Sequence, residues 1–238
     1  MGKLKNLRVH LPEWVTKLFP DAIWIMPTGK QTVYLTFDDG PIPEVTPQVL
    51  DLLKEKGIKA TFFCVGENVA KYPELFKRIK EEGHSVGNHT YNHLRGMKSS
   101  TRSYLKNIEQ ANSLIRSNMF RPPHGWLTRL QYWSIVGKYK LVMWDVISCD
   151  YDASLSPDQC FNNVIDFVRD GSIITFHDSL KARKNVLAAM PKTIDHLAHQ
   201  GYTFRKIEFP KIYPMQNNTV PQKIQNMRNS IKQLLKGA

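Results

Sequence analysis

Cysteine is scarce in this chain of 238 residues: the three present, Cys64, Cys149 and Cys160, are odd in number and form no CxxC pair. That argues against a disulfide scaffold and a cysteine-built zinc site, and it accords with a reducing compartment. No stretch reaches the roughly 18 uninterrupted apolar residues that a membrane-spanning helix needs, which excludes an integral helical membrane protein. A glycine-rich nucleotide loop, an internal repeat and a low-complexity segment are also missing, as is any dense basic run of the localisation or RNA-binding kind. The leading residues Lys3, Lys5 and Arg8 could begin a signal peptide, but His10, Pro12 and Glu13 interrupt any apolar stretch behind them. A cytoplasmic location is therefore expected, or an extracytoplasmic one if the chain is part of a longer protein.

What is present suffices for a folded domain. Hydrophobic residues make up 42% and aromatics 11%, which excludes disorder, collagen and coiled coil. Lys and Arg number 33 against 21 Asp and Glu, leaving a net charge of +12. Such a balance favours polyanionic partners such as nucleic acid, anionic lipid or acidic glycans. The charge is spread along the chain, however, and reads as a solvated basic surface with no nucleic-acid partner.

Short apolar strands alternate with helix-length amphipathic stretches. Strands are predicted at Thr32–Phe37, Ala60–Val65, His84–Asn88, Met119–Arg121, Lys140–Val146, Ser172–Phe176 and Tyr202–Ile207. Helices are predicted from Thr46, as N-cap before Pro47, to Gly57, then at Tyr72–Glu82, Ser100–Ser117, Pro157–Arg169 and Lys184–His199. This alternation spells βαβ units and a parallel sheet. About seven units without a nucleotide loop point to an α/β fold of the distorted (β/α) barrel type, with the active site at the C-terminal ends of the strands. Residues 1–31 read as an N-terminal arm packed on the barrel, 32–210 as the barrel, and 211–238 as a basic tail. The tail carries Lys211, Lys223, Arg228, Lys232 and Lys236 with no acid. Ile224, Met227, Ile231 and Leu234 recur there at helical spacing, so it reads as a docked helix or as a peripheral membrane or partner contact.

Chemistry gathers at the strand ends. Thr36-Phe37-Asp38-Asp39-Gly40 closes the first strand on two adjacent carboxylates, which repel unless a metal or an arginine compensates; the plain alternative is an Asp-Gly turn. His89-Thr90-Tyr91-Asn92-His93 places two histidines four apart, facing the same way if the segment winds into a helical turn. With one carboxylate they make a two-His, one-carboxylate metal site with open water positions. Phe120-Arg121-Pro122-Pro123-His124-Gly125 sets a guanidinium near the barrel mouth, suited to a bidentate pair with a carboxylate, or else a surface arginine. Ile173 to Asp178 ends an apolar strand in His177, which alone would read as a core histidine. His84 reads as a structural hydrogen-bonding residue, and His10, His196 and His199 as surface residues. Trp144 reads as core, Trp126 as a groove residue.

In this order the segments resemble the NodB-homology polysaccharide deacetylases, carbohydrate esterase family 4. The matching motifs are TFDDG (36–40), HTYNH (89–93), RPPHG (121–125), SCDYD (148–152) and the strand ending in His177, spread over about residues 32–207. The resemblance implies Asp39, His89 and His93 as ligands of one divalent ion, zinc with cobalt also accepted. It implies Asp38 as general base held by Arg121, and His177 as general acid oriented by Asp150. The backbone N–H of His124 is implied as an oxyanion donor. Three positions depart from the family pattern: His124 stands where tyrosine is usual, Tyr151 where tryptophan is, and Thr175 where a leucine lines the acetyl pocket. Trp126, Tyr151 and Thr175 are accordingly the expected groove residues.

The implied activity is removal of N-acetyl groups from an N-acetylglucosamine-containing glycan, with O-acetyl esters open to the same water attack. The alternative is a non-catalytic carbohydrate-binding relative of the same fold, which loss of a ligand or of Asp38 would signal. An iron oxygenase shares the triad but has no use for Asp38, Arg121 and His177. A nucleic-acid module would show itself by steeply salt-dependent binding. The particular glycan and the oligomeric state are not legible in the sequence.

Overall fold

The structure is a computed structural model that describes residues 7–209, so the expected helix of the 211–238 tail lies outside the described residues. Within them are eight strands: β1 (Thr32–Asp38), β2 (Thr61–Cys64), β3 (Ser85–Asn88), β4 (Met119–Phe120), β5 (Lys140–Leu141), β6 (Val146–Ile147), β7 (Ile173–His177) and β8 (Thr203–Phe204). Seven follow one curled path in the order β5-β4-β3-β2-β1-β7-β6, while β8 pairs with the start of β1. Every strand pair is parallel. The architecture is the distorted (β/α) barrel that the alternation predicts. Isolated bridges from Ile23 to Val142 and from Ile25 to Ser172 fasten the segment before β1 across two further parts of the sheet.

The helices are α1 (Glu13–Thr16), α2 (Thr46–Glu55), α3 (Gly66–Lys71), α4 (Pro73–Glu81), α5 (Thr101–Ile115), α6 (Arg129–Val136), α7 (Pro157–Ile165) and α8 (Arg183–His199). Strand β1 is buried along its whole length, and the period of two sorts its side chains. Val33, Leu35 and Phe37 join Phe62, Ile174 and Phe176 in the main core. Tyr34 turns the other way, into a smaller cluster with Phe63 and Ile173. Each fully buried aromatic or branched side chain contributes roughly 1.5–3 kcal/mol. By the same alternation Thr36 and Asp38 share the face of Tyr34, and Thr175 and His177 share that of Ile173. The barrel interior is thus apolar at its base and polar where the strands end.

Several local expectations are corrected. The N-cap of α2 is Val45, not Thr46, and no side chain caps it. The Thr46 hydroxyl is occupied elsewhere, accepting from the Ile42 N–H at 2.7 Å and donating to Asp178 at 2.6 Å. The predicted strand 140–146 is two short strands with Val142 to Asp145 between them, where Val142 bridges to Ile23 instead. Helices α3 and α6 are additional, and α6 opens on a Thr128–Gln131 capping box. His10 and His196 are half-buried rather than on the surface. His10 bonds the Asp145 carbonyl at 2.8 Å and stacks on Phe167, while His196 packs edge-on to Phe161. His84 is buried and accepts the Ala60 N–H at 3.0 Å, a structural place in the chain.

Candidate active site

Each chemically suspicious residue sits at a strand's C-terminal end, where barrels collect their sites. Asp38 is the last residue of β1 and His177 the last of β7, and the two are register partners. His89 follows β3, Arg121 follows β4, and Asp150 follows β6 within three residues. Asp39, Thr90, His93, His124 and Cys149 all have positive φ, at 85, 66, 55, 62 and 59 degrees. Non-glycine residues rarely adopt this conformation, and it clusters where function constrains the backbone.

Asp39 leaves the strand and turns its carboxylate toward the two histidines. Its Oδ1 lies 3.2 Å from His93 Nε2 and 3.7 Å from His89 Nε2. One ligand atom from each residue falls within 4.8 Å of the others. The histidines meet without the helical turn expected for HTYNH; positive φ at Thr90 and His93 bends the segment instead. His89 Nδ1 lies 2.8 Å from the Arg121 carbonyl. A carbonyl only accepts, so Nδ1 carries the proton and Nε2 presents its lone pair. Burial lowers His89 to about 4, keeping the ring neutral. Burial opposes ionisation of Asp39, but the neighbouring His93 imidazole, with His177 and His89, holds it well below the usual carboxylate range. Its buried Oδ1 nevertheless has no hydrogen-bond partner. An unpartnered carboxylate oxygen facing two imidazole nitrogens is a donor set that fits a divalent cation.

Arg121 is fully buried. Its Nη1 donates to Asp38 Oδ1 at 2.7 Å, to Thr36 at 2.8 Å and to Thr175 at 3.1 Å. Nε and Nη2 donate to the carbonyls of Val142 and Met143, and the guanidinium lies 4.1 Å above the Phe63 ring. The pair with Asp38 is therefore carried by one nitrogen rather than being bidentate. Taking both charges out of water is costly, and these added hydrogen bonds offset it. Thr175 is corrected as a groove residue: it points into the barrel and is wholly buried beneath Arg121.

Across the site His177 Nδ1 donates to Asp150 Oδ1 at 2.7 Å, and the His177 N–H donates to Asp150 Oδ2 at 2.8 Å. Burial lowers the affinity of His177 for its second proton, yet the charge and hydrogen bond of Asp150, with Asp39 and Asp38 beyond, raise it to about 9. The ring is thus an imidazolium at neutral pH. Asp178, next in sequence, is buried and accepts the Gly40 N–H at 3.0 Å beside the Thr46 hydroxyl. A side chain at Gly40 would occupy the place of that carboxylate. Asp178 was not among the sequence candidates, and only its position after His177 hinted at it.

The open cleft above these groups is lined by Trp126, Tyr151, His124 and Trp144, among others. Trp144, expected in the core, packs partly buried against both larger core clusters and also places its ring against Gly125, where φ is 74 degrees and a Cβ would collide with it. Pro122 and Pro123 lack N–H groups, so His124 carries the first backbone donor after Arg121. Its imidazole accepts from Arg95 Nε at 2.9 Å and packs edge-on to His93.

The chain is similar to several known proteins. The family model described as polysaccharide deacetylase covers residues 26–139. A peptidoglycan-N-acetylglucosamine deacetylase of Bacillus cereus is 34% identical over 188 residues, spanning 76% of this chain and 88% of the relative. A chitooligosaccharide deacetylase of Azorhizobium caulinodans is 30% identical, over 75% of this chain and 94% of that one. Among solved structures, a peptidoglycan N-acetylglucosamine deacetylase in complex with 4-naphthalen-1-yl-N-oxidanyl-benzamide superposes with a TM-score of 0.73 at 35% identity, covering 82% of this chain and 94% of the other. The chain belongs to the polysaccharide deacetylase family, the NodB-homology deacetylases of carbohydrate esterase family 4.

Proposed function

We propose that this chain removes N-acetyl groups from an N-acetylglucosamine-containing glycan, releasing acetate and a free amine. The observation that carries this reading is the meeting of three elements in one cleft: the Asp39–His89–His93 triad, the Asp38–Arg121 pair and the His177–Asp150 pair. Peptidoglycan and chitooligosaccharide deacetylases among the relatives support the substrate class.

Asp39, His89 and His93 are the residues that would hold a divalent cation. Such an ion supplies Lewis acidity to the amide carbonyl and to the attacking water. Asp38 accepts the water's proton, its carboxylate fixed in place by Arg121. The His124 N–H offers a fixed donor to the developing oxyanion. An amine leaves poorly unless protonated, and His177 delivers that proton from Nε2 because Nδ1 is bound to Asp150. Asp150 orients the ring and keeps it charged. One carboxylate cannot serve both proton transfers well, which gives separate work to Asp38 and His177.

Acetylated chitooligosaccharides and peptidoglycan fragments, incubated with the zinc-supplemented protein, should lose 42 Da per acetyl group as free amines appear. No acetate release from any N-acetylated or O-acetylated glycan would leave the carbohydrate-binding reading in its place.

A further inference from the structure

One wall of the cleft does not come from the barrel. Leu7, Leu11, Val15 and Phe19 line it from the N-terminal arm, alongside Trp24 and Trp144, in a cavity of about 440 Å³. These arm residues precede position 26, where the family match begins, so the wall lies outside the matched segment. It is fastened in place. Val9 is buried, Arg8 pairs with Asp152 at 3.4 Å, and His10 bonds the Asp145 carbonyl at 2.8 Å.

The chemistry of the cavity is two-sided. Asp38, Asp39, His89, His93 and His177 supply the reactive part. Beyond Phe19 and Trp24 the lining continues into a small recess formed by Leu127, Leu141 and Met143. The four arm side chains offer no hydrogen bond. Sugar hydroxyls set against them lose water and gain no partner, which is unfavourable. An alkyl or aryl group in the same place gains by leaving water. The indole N–H groups of Trp24 and Trp144 are buried with no acceptor among the described residues. Arg8 and Lys181 also line the cavity, and among the described residues the only carboxylates lining it are Asp38 and Asp39. An anionic group at the mouth is therefore tolerated.

Resting on the deacetylase reading, we infer that the cleft takes an N-acetylated amino sugar carrying an apolar substituent, an alkyl, acyl or aryl group seated against Leu7, Leu11, Val15 and Phe19. The arm thus sets the substrate class: an amphiphilic glycoside rather than a sugar chain continuing on that side.

The test compares deacetylation of n-octyl and methyl 2-acetamido-2-deoxyglucopyranosides by the full chain, below micelle-forming concentration. Each methylene that enters the apolar wall should raise kcat/KM roughly fourfold, so the octyl glycoside should be preferred by at least about tenfold once two or more are buried. Leu11→Trp fills the wall and should bring the ratio toward unity. A ratio near unity in the parent protein, with the methyl glycoside or an acetylated chitooligosaccharide still deacetylated, overturns the apolar subsite and leaves the deacetylase intact. If no substrate is deacetylated, the catalytic reading fails, and a binding readout decides the subsite separately. Octyl glucoside, which has no acetamide, should then change tryptophan fluorescence saturably in the metal-free protein while methyl glucoside does not. Equal responses to the two overturn the inference. This titration uses the unaltered chain, so it stands even if Leu11→Trp does not fold.

Discussion

Asp38 and His177 are register partners on adjacent parallel strands, β1 and β7, each closing its strand on the barrel's inner face. Each is held by a separate buried partner, Arg121 for the carboxylate and Asp150 for the imidazole, both at 2.7 Å. One rung of the sheet thus carries both groups to which the proposed reaction assigns a proton transfer. Arg121 fixes the position of the Asp38 carboxylate, and Asp150 favours an imidazolium at His177.

The Asp150 pair predicts a pH dependence. His177 is raised to about 9, through Asp150 once the opposing effect of burial is overcome. As an acid it is competent below that value, so kcat/KM should fall as pH rises through it. Asp150→Asn removes the charge, and the alkaline limb should move about one to two units lower, toward the ordinary histidine value of about 6.5. The same pair contributes stability that is fully present below about pH 6.5 and lost as pH rises through the folded value. A pH–rate profile that does not move in Asp150→Asn would separate Asp150 from the acid.

Asp178 predicts a loss of the same sign in a lower pH window. Burial raises it to about 8, against hydrogen bonds from Thr46 and Gly40 that lower it. Between about pH 4 and 8 the folded chain keeps a proton that the unfolded chain releases, so this group weakens stability as pH rises across that window. Asp178→Asn resembles the neutral acid and should stay within about 1 kcal/mol of the parent at pH 5, with a flatter stability profile to pH 8. Asp178→Ala leaves the Gly40 N–H buried and unpaired, and should cost about 1–3 kcal/mol by urea denaturation.

Arg121→Met strands the Asp38 carboxylate without its charged partner. Breaking a buried pair in this way costs about 3–5 kcal/mol, a drop readable in the denaturation midpoint. The double variant Asp38→Asn with Arg121→Met should recover part of that stability but no activity.

His124→Tyr tests whether the residue works through its backbone alone. Deacetylation of a small acetylated substrate should stay within a few fold of the parent. A loss of about a hundredfold or more, the size expected for removing an oxyanion donor, would assign the imidazole its own part.

Much of this arrangement is legible in the sequence because it rests on local rules. TVYLTF and SIITF are β-branched and aromatic, and the structure makes β1 and β7 of them. The polar residues that follow are thereby delivered to the barrel mouth. Helix α6 is hidden because RLQYWSIV is apolar on most sides and shows no clean helical period, although the Thr128–Gln131 capping box announces its start. The spacing of His89 and His93 suggests a helical turn, but positive φ at Thr90 and His93 brings the rings together by another route. Thr175 illustrates a shortfall of motif reading: the period of two sends it inward, where Arg121 takes its hydroxyl. The arm's share in the cleft was beyond local rules. It depends on contacts such as His10 with Asp145, more than a hundred residues apart.

The central claim, that adjacent Asp38 and Asp39 hold different offices, is tested most directly by metal content measured alongside initial rates over a zinc titration. Asp39 faces His89 and His93, while Asp38 faces Arg121. Asp38→Asn should retain metal as the parent does while turnover falls by about 10²–10⁴, and excess zinc should not restore it. Asp39→Asn should lose metal, with part of its activity recovered at high zinc. Exhaustive chelation of the parent should abolish activity, and zinc or cobalt should restore it. If Asp38→Asn is the variant that loses metal or is rescued by zinc, the assignment is reversed; if the chelated parent keeps full activity, the metal-dependent account is wrong.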